Sequence, residues 1–219
     1  MSPVLPNPLR VGVLLSGGGR TLLNLLEQIK AGALPVEIAV VIASRSCKGL
    51  DHARQADLET HLVSYKDSAS AAAYSDGIAA ILDKARVELV CMAGFLSFWH
   101  IPARYQGKVV NIHPALLPAF GGKGMHGHHV HKAVLRTGCK VSGCTVHFVT
   151  NEYDQGPIIL QRCVKVLEGD DADSLAARVF EQECIALPEA LRLCQQGRLK
   201  VQDGVVHVLA DSPAVFDRD

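Results

Sequence analysis

The sequence predicts an α/β protein: a Rossmann-like, open and mostly parallel twisted sheet with helices on both faces, followed by a mixed β/α half that ends in a hairpin. Short apolar runs alternate with amphipathic helical stretches, and most runs are continuously apolar, as in strands covered on both faces. The turn Asp203-Gly204 within residues 199–209 is typical of a hairpin. The composition, 48% apolar and 20% charged, is that of an ordinary globular protein.

The first half of the chain divides into strand–helix units. Residues 9–15 form an apolar, partly β-branched run, which predicts the first strand. Leucines at 22, 23, 25 and 26 give residues 21–30 an apolar helical face. The same criteria predict strands at 36–44, 61–65 and 87–93 and helices at 51–58 and 70–84.

The second half is less regular. A strand at 108–112 precedes a loop rich in glycine and histidine, and the other elements are a helix at 128–137, β-rich segments at 141–150 and 157–166, and a helix at 173–195. We expect Pro188 to bend that last helix and the acidic run 168–173 to cap it. We expect a disordered tail at 1–8 and one domain at 9–219, with halves at 9–107 and 108–219.

Charge and cysteine usage restrict the classes of partner and compartment. Lys plus Arg and Asp plus Glu both number 22, so the balance gives no reason to expect a nucleic-acid or membrane partner. The longest apolar stretch, 89–96, is far shorter than the roughly 20 residues that cross a bilayer. Seven cysteines without a C-x-x-C pair predict buried, reduced thiols and a cytoplasmic protein.

A glycine loop, Ser16-Gly17-Gly18-Gly19, lies between the first strand and the first helix. This layout offers bare backbone N–H groups and a helix N-terminus to an anion. The loop lacks the P-loop pattern, and Leu22 stands where a dinucleotide-binding loop has its third glycine. The pattern favours a phosphate monoester site, and a tight turn without a ligand is the alternative.

Polar residues at one strand end suggest acyl-transfer chemistry. Asn111 and His113 are two residues apart, so they share one face where the strand ends. An amide and an imidazolium can together hold an oxyanion, and Asp154 could keep the histidine charged and relay protons. Each also has a plainer interpretation, a hydrogen-bonded strand end or a turn-forming residue. Spacing alone does not bring the three together.

Motifs along the chain carry a family resemblance. They occur at 15–19, 93–95, 111–118, 143–149, 154–159 and Glu183. With these motifs in this order, the sequence resembles the phosphoribosylglycinamide formyltransferases of purine biosynthesis from residue 11 to about 197.

The resemblance implies that 10-formyltetrahydrofolate, a cosubstrate, gives its formyl group to the primary amine of glycinamide ribonucleotide without a metal. Asn111 and His113 would hold the formyl oxygen, while Asp154 would pair with His113 and order a water. The phosphate and ribose would contact Gly17, Gly18, Gly19, Arg20, Thr21 and Glu183. The folate would contact Phe95, Leu96, Ser97, Phe98, Val149 and Asn151. Supporting residues would be Gly94, Pro118 and His147.

The sequence departs from the family at Ser97 and at 71–73, where members often carry basic residues. These changes affect the expected grip on the folate glutamate tail, not the chemistry. The histidines at 126, 128, 129 and 131 are irregularly spaced, so we do not expect a metal there. We expect the loop 121–127 instead to close over the substrate phosphate.

Other functions explain parts of the sequence. A formyltetrahydrofolate hydrolase shares the chemistry but usually has an N-terminal regulatory domain, and a tRNA formyltransferase needs an RNA-binding domain and positive charge. A non-catalytic nucleotide- or phosphate-binding module fits the glycine loop alone, and an NADP-dependent reductase fits the loop with Arg45. Both leave Asn111, His113 and Asp154 unexplained. A transferase of this kind is expected as a monomer or homodimer.

Overall fold

The structure, a computed structural model, describes residues 8–210. Of the expected tail only Pro8 is described, and residues 211–219 of the expected domain also lie outside the described part. The strands are β1 (Leu9–Leu15), β2 (Val36–Ala43), β3 (Thr60–Leu62), β4 (Leu89–Met92), β5 (Val109–His113), β6 (Val141–Phe148), β7 (Ile158–Lys165), β8 (Leu199–Gln202) and β9 (Val205–Val208). The α-helices are α1 (Arg20–Lys30), α2 (Lys48–Gln55), α3 (Ala71–Lys84), α4 (His128–Arg136) and α5 (Ala172–Gln195).

Seven strands form one twisted sheet in the order β3-β2-β1-β4-β5-β6-β7. The first five run parallel, whereas β6 pairs antiparallel with β5 and β7 antiparallel with β6. The remaining two strands, β8 and β9, form a separate hairpin. The predicted mostly parallel sheet and the C-terminal hairpin are therefore confirmed.

Helices cover both faces of the sheet, and β1 shows how. Val13 and Leu15 belong to one apolar cluster, which includes residues of α1, α2, α4 and α5. Leu14 points the other way into a second cluster, formed largely with α3. All three side chains are fully buried. Because successive side chains of a strand point to opposite faces, a continuously apolar strand is what a doubly covered sheet requires.

Two elements in the first half of the chain, the helix predicted at 51–58 and the strand predicted at 61–65, have other bounds in the structure. Helix α2 begins at Lys48 rather than at residue 51, and the Gly49 N–H donates to the Gly17 carbonyl over 3.0 Å. The early start therefore packs α2 against the glycine loop. Strand β3 lies at the edge of the sheet, and only its three residues Thr60–Leu62 pair with β2. Tyr65, which was expected in this strand, begins a 3₁₀ helix.

The C-terminal elements follow the local signals. Asp171 caps α5: its carboxylate accepts from the N–H groups of Asp173 and Ser174 at 3.1 and 2.8 Å, and the predicted acidic cap is confirmed. Pro188 lies within α5. Asp203 and Gly204 both have positive φ, the backbone that a tight two-residue hairpin requires.

The cysteines and helices bear on the predicted compartment. All seven cysteines are free. Cys91 and Cys144 are buried as expected, but Cys163 is exposed because it lies on the outer face of the edge strand β7. Within residues 8–210, no helix combines the length and apolarity needed to cross a membrane.

Candidate functional site

A cavity of about 400 Å³ lies at the carboxyl ends of β1, β4 and β5. The chain leaves β1 toward β2 on one side and returns to β4 on the other, and such a switch point opens a crevice in parallel sheets. The segments lining it are residues 17–21, 93–96, 111–114, 122 and 124–128, His131, residues 153–154, Ala176, Phe180 and Glu183. One cavity thus brings together segments from both halves of the sequence.

The glycine loop forms one end of the cavity with backbone rather than side chains. A Cβ added to Gly17 or Gly18 would meet no atom within 4 Å, so packing does not demand glycine there. Gly19 differs, because its φ is +73° and a Cβ would lie 2.5 Å from the Gly49 Cα. Helix α1 begins directly after it without a side-chain cap, which leaves its first N–H groups available to an anion.

Arg20 and Glu183 lie beside the glycine loop. The Arg20 guanidinium carbon lies 4.1 Å from the centroid of the Phe180 ring, and Glu183 follows Phe180 by nearly one turn of α5. Burial raises the pKa of Glu183 to about 7, although the nearby Arg20 charge acts in the opposite direction. The carboxyl group therefore changes charge near neutral pH, and in its ionised form it can accept hydrogen bonds from hydroxyl groups.

At the other end of the cavity, His147 orients Asn111. The His147 Nδ1 lies 2.9 Å from the Phe148 carbonyl oxygen, which can only accept, so Nδ1 carries the hydrogen. Burial lowers the pKa of His147, which favours the neutral ring. Its Nε2 is then an acceptor for the Asn111 amide nitrogen, 3.1 Å away. Asn111 is left with a second N–H, and the residue lines the cavity.

His113 is fixed in the same way by a backbone carbonyl. Its Nε2 donates to the Phe120 oxygen over 2.8 Å, and its side chain is only 4% exposed. The other nitrogen, Nδ1, lies 3.7 Å from the Asp154 carboxylate. Asp154 also lies 3.8 Å from the His147 Nε2 and accepts from the Gly122 N–H over 2.8 Å. The carboxylate therefore faces two imidazole rings, while its own position is set by the loop backbone.

This arrangement can stabilise negative charge on an oxygen and move a proton nearby. Asn111 and His113 supply donors at one strand end, and Asp154 supplies the carboxylate within 4 Å of the imidazole. Catalytic contacts in empty sites are often longer than hydrogen bonds and shorten when substrate binds. Within residues 8–210, no three His, Cys, Asp or Glu side chains are grouped as a metal ion would require.

The residues expected to contact the folate divide between locations. Phe95 and Leu96 line the first cavity, whereas Ser97 and Phe98 line a second cavity of about 610 Å³. The second cavity is mainly apolar; its residues are Tyr65, Ala71, Ala72, Ser75, Asp76, Ser97, Phe98, His100 and Pro102. Among residues 8–210, no lysine or arginine lines it, in keeping with the sequence departures at 71–73 and Ser97.

Two expected folate contacts line neither cavity. Val149 packs against the apolar cluster on the α3 side of the sheet. The Asn151 side chain accepts from the Ile101 N–H over 2.8 Å and so fixes a neighbouring loop. Of the supporting residues, Gly94 lines the first cavity, and Pro118 follows a cis peptide bond.

Several residues around the cavity were not predicted from sequence. Phe180 contacts the Arg20 guanidinium. It lies three residues before Glu183, so both are on one face of the helix, and this spacing could have predicted it from the sequence. His131 lines the cavity, and its buried Nδ1 has no hydrogen-bond partner among the residues that the structure describes. Burial lowers the pKa of His131 to about 4. The Phe120 contact uses a backbone oxygen, for which a sequence carries no signal.

Comparison with known proteins agrees with this geometry. Residues 9–191 match the family described as "Formyl transferase". The chain is 38% identical over 198 residues to the trifunctional purine biosynthetic protein adenosine-3 of Gallus gallus; the match covers 89% of this chain and 19% of that protein. The chain thus spans about a fifth of that relative's length.

Two solved structures match a similar share of this chain. The glycinamide ribonucleotide transformylase 1 of Symbiobacterium toebii has a TM-score of 0.87 and 39% identity, covering 93% of this chain and 95% of that one. A formyltetrahydrofolate deformylase from Pseudomonas syringae has a TM-score of 0.81 and 25% identity, covering 92% and 66%. With the family match extending over most of the described residues, this chain belongs to the formyl transferase family.

Proposed function

We propose that this protein transfers the formyl group of 10-formyltetrahydrofolate to the primary amine of glycinamide ribonucleotide. The products are formylglycinamide ribonucleotide and tetrahydrofolate, in de novo purine biosynthesis. One observation carries the proposal: Asn111, His113 and Asp154 meet in a cavity whose other end is the glycine loop. The similarity to a glycinamide ribonucleotide transformylase along nearly the whole of that chain supports this choice of acceptor.

The acceptor occupies the glycine end of the cavity. Its phosphate accepts hydrogen bonds from the N–H groups of the glycine loop, residues 17–19, at the start of α1. Arg20 and Thr21 lie beside the phosphate. The ribose hydroxyls donate to the ionised Glu183 carboxylate. The glycinamide amine then points toward Asn111 and His113. The pterin lies along Phe95 and Leu96 and contacts the backbone of Val149 and Asn151. The rest of the donor extends past Ser97 and Phe98.

The reaction follows from direct attack by the amine. Its nitrogen forms a bond to the formyl carbon, and the carbonyl electrons move to the oxygen. The free Asn111 N–H and the His113 imidazolium hold that oxyanion, a type of stabilisation whose loss typically costs about 3 kcal/mol per donor. When the tetrahedral intermediate collapses, the bond to N10 of the folate breaks. The amine loses one proton and N10 gains one, with Asp154 and an ordered water carrying the transfer.

The site needs no metal, since the donor arrives already activated as a formyl amide. Residues 9–219 act as one domain, with a phosphate-binding half at 9–107 and a folate-binding, catalytic half at 108–219. The free cysteines and balanced charge support a cytoplasmic protein that binds neither nucleic acid nor membranes. Its proposed state is a monomer or homodimer.

The test measures folate absorbance in purified protein with 10-formyltetrahydrofolate, with and without glycinamide ribonucleotide. We expect conversion only when the ribonucleotide is present. Conversion without it would instead indicate a hydrolase, in which water replaces the amine; the similarity to the Pseudomonas syringae deformylase makes this the second candidate. No conversion in either mixture would leave a binding module and contradict the proposal.

A further inference from the structure

Ser16 occupies a junction between three strand ends. It follows β1 directly and is 1% exposed. Its hydroxyl oxygen accepts from the Leu96 N–H over 2.9 Å and lies 2.6 Å from the hydroxyl oxygen of Ser44, which follows β2. Its backbone N–H donates to the Gly94 carbonyl over 3.0 Å. One small side chain therefore connects the ends of β1 and β2 with the segment after β4.

Those connected segments lie in different parts of the cavity. Gly17, the next residue after Ser16, begins the glycine loop that lines the phosphate end. Gly94, Phe95 and Leu96 line the cavity beside the catalytic residues, and we call these three residues the donor wall. Two hydrogen bonds of Ser16 thus join the loop to the donor wall: its N–H donates to the Gly94 carbonyl, and its hydroxyl accepts from the Leu96 N–H.

Polar groups in this position are hard to replace. The Leu96 N–H has the Ser16 hydroxyl as its partner in a partly buried hydrogen bond, and loss of that acceptor frees the Leu96 backbone from β1. The Arg45 Nε donates to the Ser16 carbonyl over 2.7 Å, which fixes the residue from the outer side as well. Ser16 therefore has its N–H, its carbonyl and its hydroxyl all engaged.

We infer that Ser16 is a positioning residue that joins the phosphate end of the cavity to the donor wall, so that each substrate orders the subsite of the other. This inference rests on the proposed function. A phosphate that orders residues 17–19 also holds Ser16, and Ser16 holds the Leu96 backbone against which the donor lies. Coupling of this kind is reciprocal: if one ligand raises the affinity for the other by some factor, the second raises the affinity for the first by the same factor.

The first experiment measures steady-state kinetics of the Ser16→Ala variant with both substrates varied. Loss of the hydroxyl raises the KM for each substrate by about fivefold to tenfold. The kcat stays within about twofold, because the reacting groups are untouched. The Ser16→Thr variant keeps an acceptor oxygen and restores part of both KM values. A rise in one KM only, or a fall in kcat with both KM values unchanged, would overturn the inference.

The matched control is Ser142→Ala. Ser142 is 3% exposed, and its hydroxyl lies buried in β6 with no hydrogen-bond partner in the described part of the chain. This variant also removes one buried hydroxyl but leaves the loop and the donor wall connected, so both KM values should match the wild type. Should Ser16→Ala fail to fold, Ser44→Ala decides the question: it removes the partner of the Ser16 hydroxyl, and both KM values should rise together by a smaller factor.

A binding measurement separates this inference from the proposed function. Calorimetric titration of tetrahydrofolate is run with and without saturating inorganic phosphate. In the wild type, phosphate should tighten tetrahydrofolate binding about fivefold, and in Ser16→Ala that factor should fall to about one. An unchanged factor in the variant, or none in the wild type, refutes the role of Ser16. If the wild type shows this fivefold tightening but no turnover, only the proposed reaction is refuted.

Discussion

The two ends of the cavity are built in different ways. The glycine loop at one end is a continuous segment, residues 17–21, and it offers backbone groups. The catalytic end uses side chains from β5, from β6 and from the loop before β7. His113, His147 and Asp154 are each held by a different backbone atom, and the His147 ring in turn orients the amide of β5. A backbone site tolerates a change of side chain where space is open, whereas a side-chain site depends on single atoms. Substitutions at the catalytic end should therefore lower kcat, whereas those at the glycine end should change KM or stability.

The largest effect is expected at the catalytic end. Asp154→Asn keeps the size of the side chain and an oxygen for the Gly122 N–H, but it removes the charge that faces the imidazole rings. We expect kcat to fall by about 10²- to 10⁴-fold, because general acid–base assistance is lost. Dissociation constants for both substrates should stay within about threefold. Single-turnover rates and calorimetric binding measure the two separately, and unchanged turnover would remove Asp154 from the mechanism.

At the glycine end, two adjacent substitutions should separate binding from folding. Gly18→Ala adds a methyl group that meets no protein atom within 4 Å, at a residue that lines the cavity. Its KM for the ribonucleotide should rise by about tenfold or more, and the free energy of unfolding should change by less than about 0.5 kcal/mol.

Gly19→Ala is the matched contrast. Its positive φ and the close Gly49 backbone oppose any side chain, so the free energy of unfolding should fall by about 2–4 kcal/mol. Urea denaturation of both variants checks the difference. Equal stability losses would show that the loop is held by packing throughout and is not open to a ligand at Gly18.

A smaller effect is expected from the titration of Glu183. Because its pKa is raised to about 7, the carboxylate that the ribose hydroxyls require is progressively lost as the pH falls through 7. The KM for the ribonucleotide should therefore rise by up to about tenfold per pH unit below that value. Glu183→Gln should bind more weakly at pH 8 and lose this component of the pH dependence. A KM profile in the variant that parallels the wild type would contradict the assignment.

The contrast between the two ends also explains what the sequence could predict. The glycine loop is a local pattern, so its place between a strand and a helix followed from neighbouring residues. Asn111 and His113 could be placed on one face of a strand for the same reason. Asp154 could not be brought to them by spacing, and only the family resemblance suggested it.

The remaining contacts depend on how distant segments pair. Asn111 lies opposite His147 because β5 and β6 pair antiparallel in that register, which periodicity does not specify. The Ser16–Leu96 hydrogen bond joins residues 80 positions apart. Val149 and Asn151 were expected to line the pterin pocket with their backbone, and their side chains are engaged in other parts of the fold. Their contact with the donor stays a prediction, as do the roles of the catalytic residues.

Inhibition by inorganic phosphate tests most directly whether one cavity holds a phosphate end and a separate donor wall. Initial rates are measured against each substrate in turn at several phosphate concentrations. We expect phosphate to compete with glycinamide ribonucleotide, with the competition lost or weakened in Gly18→Ala, and not to compete with 10-formyltetrahydrofolate. Competition with the folate, or inhibition that Gly18→Ala leaves unchanged, would place the phosphate elsewhere and contradict the assignment of the glycine loop.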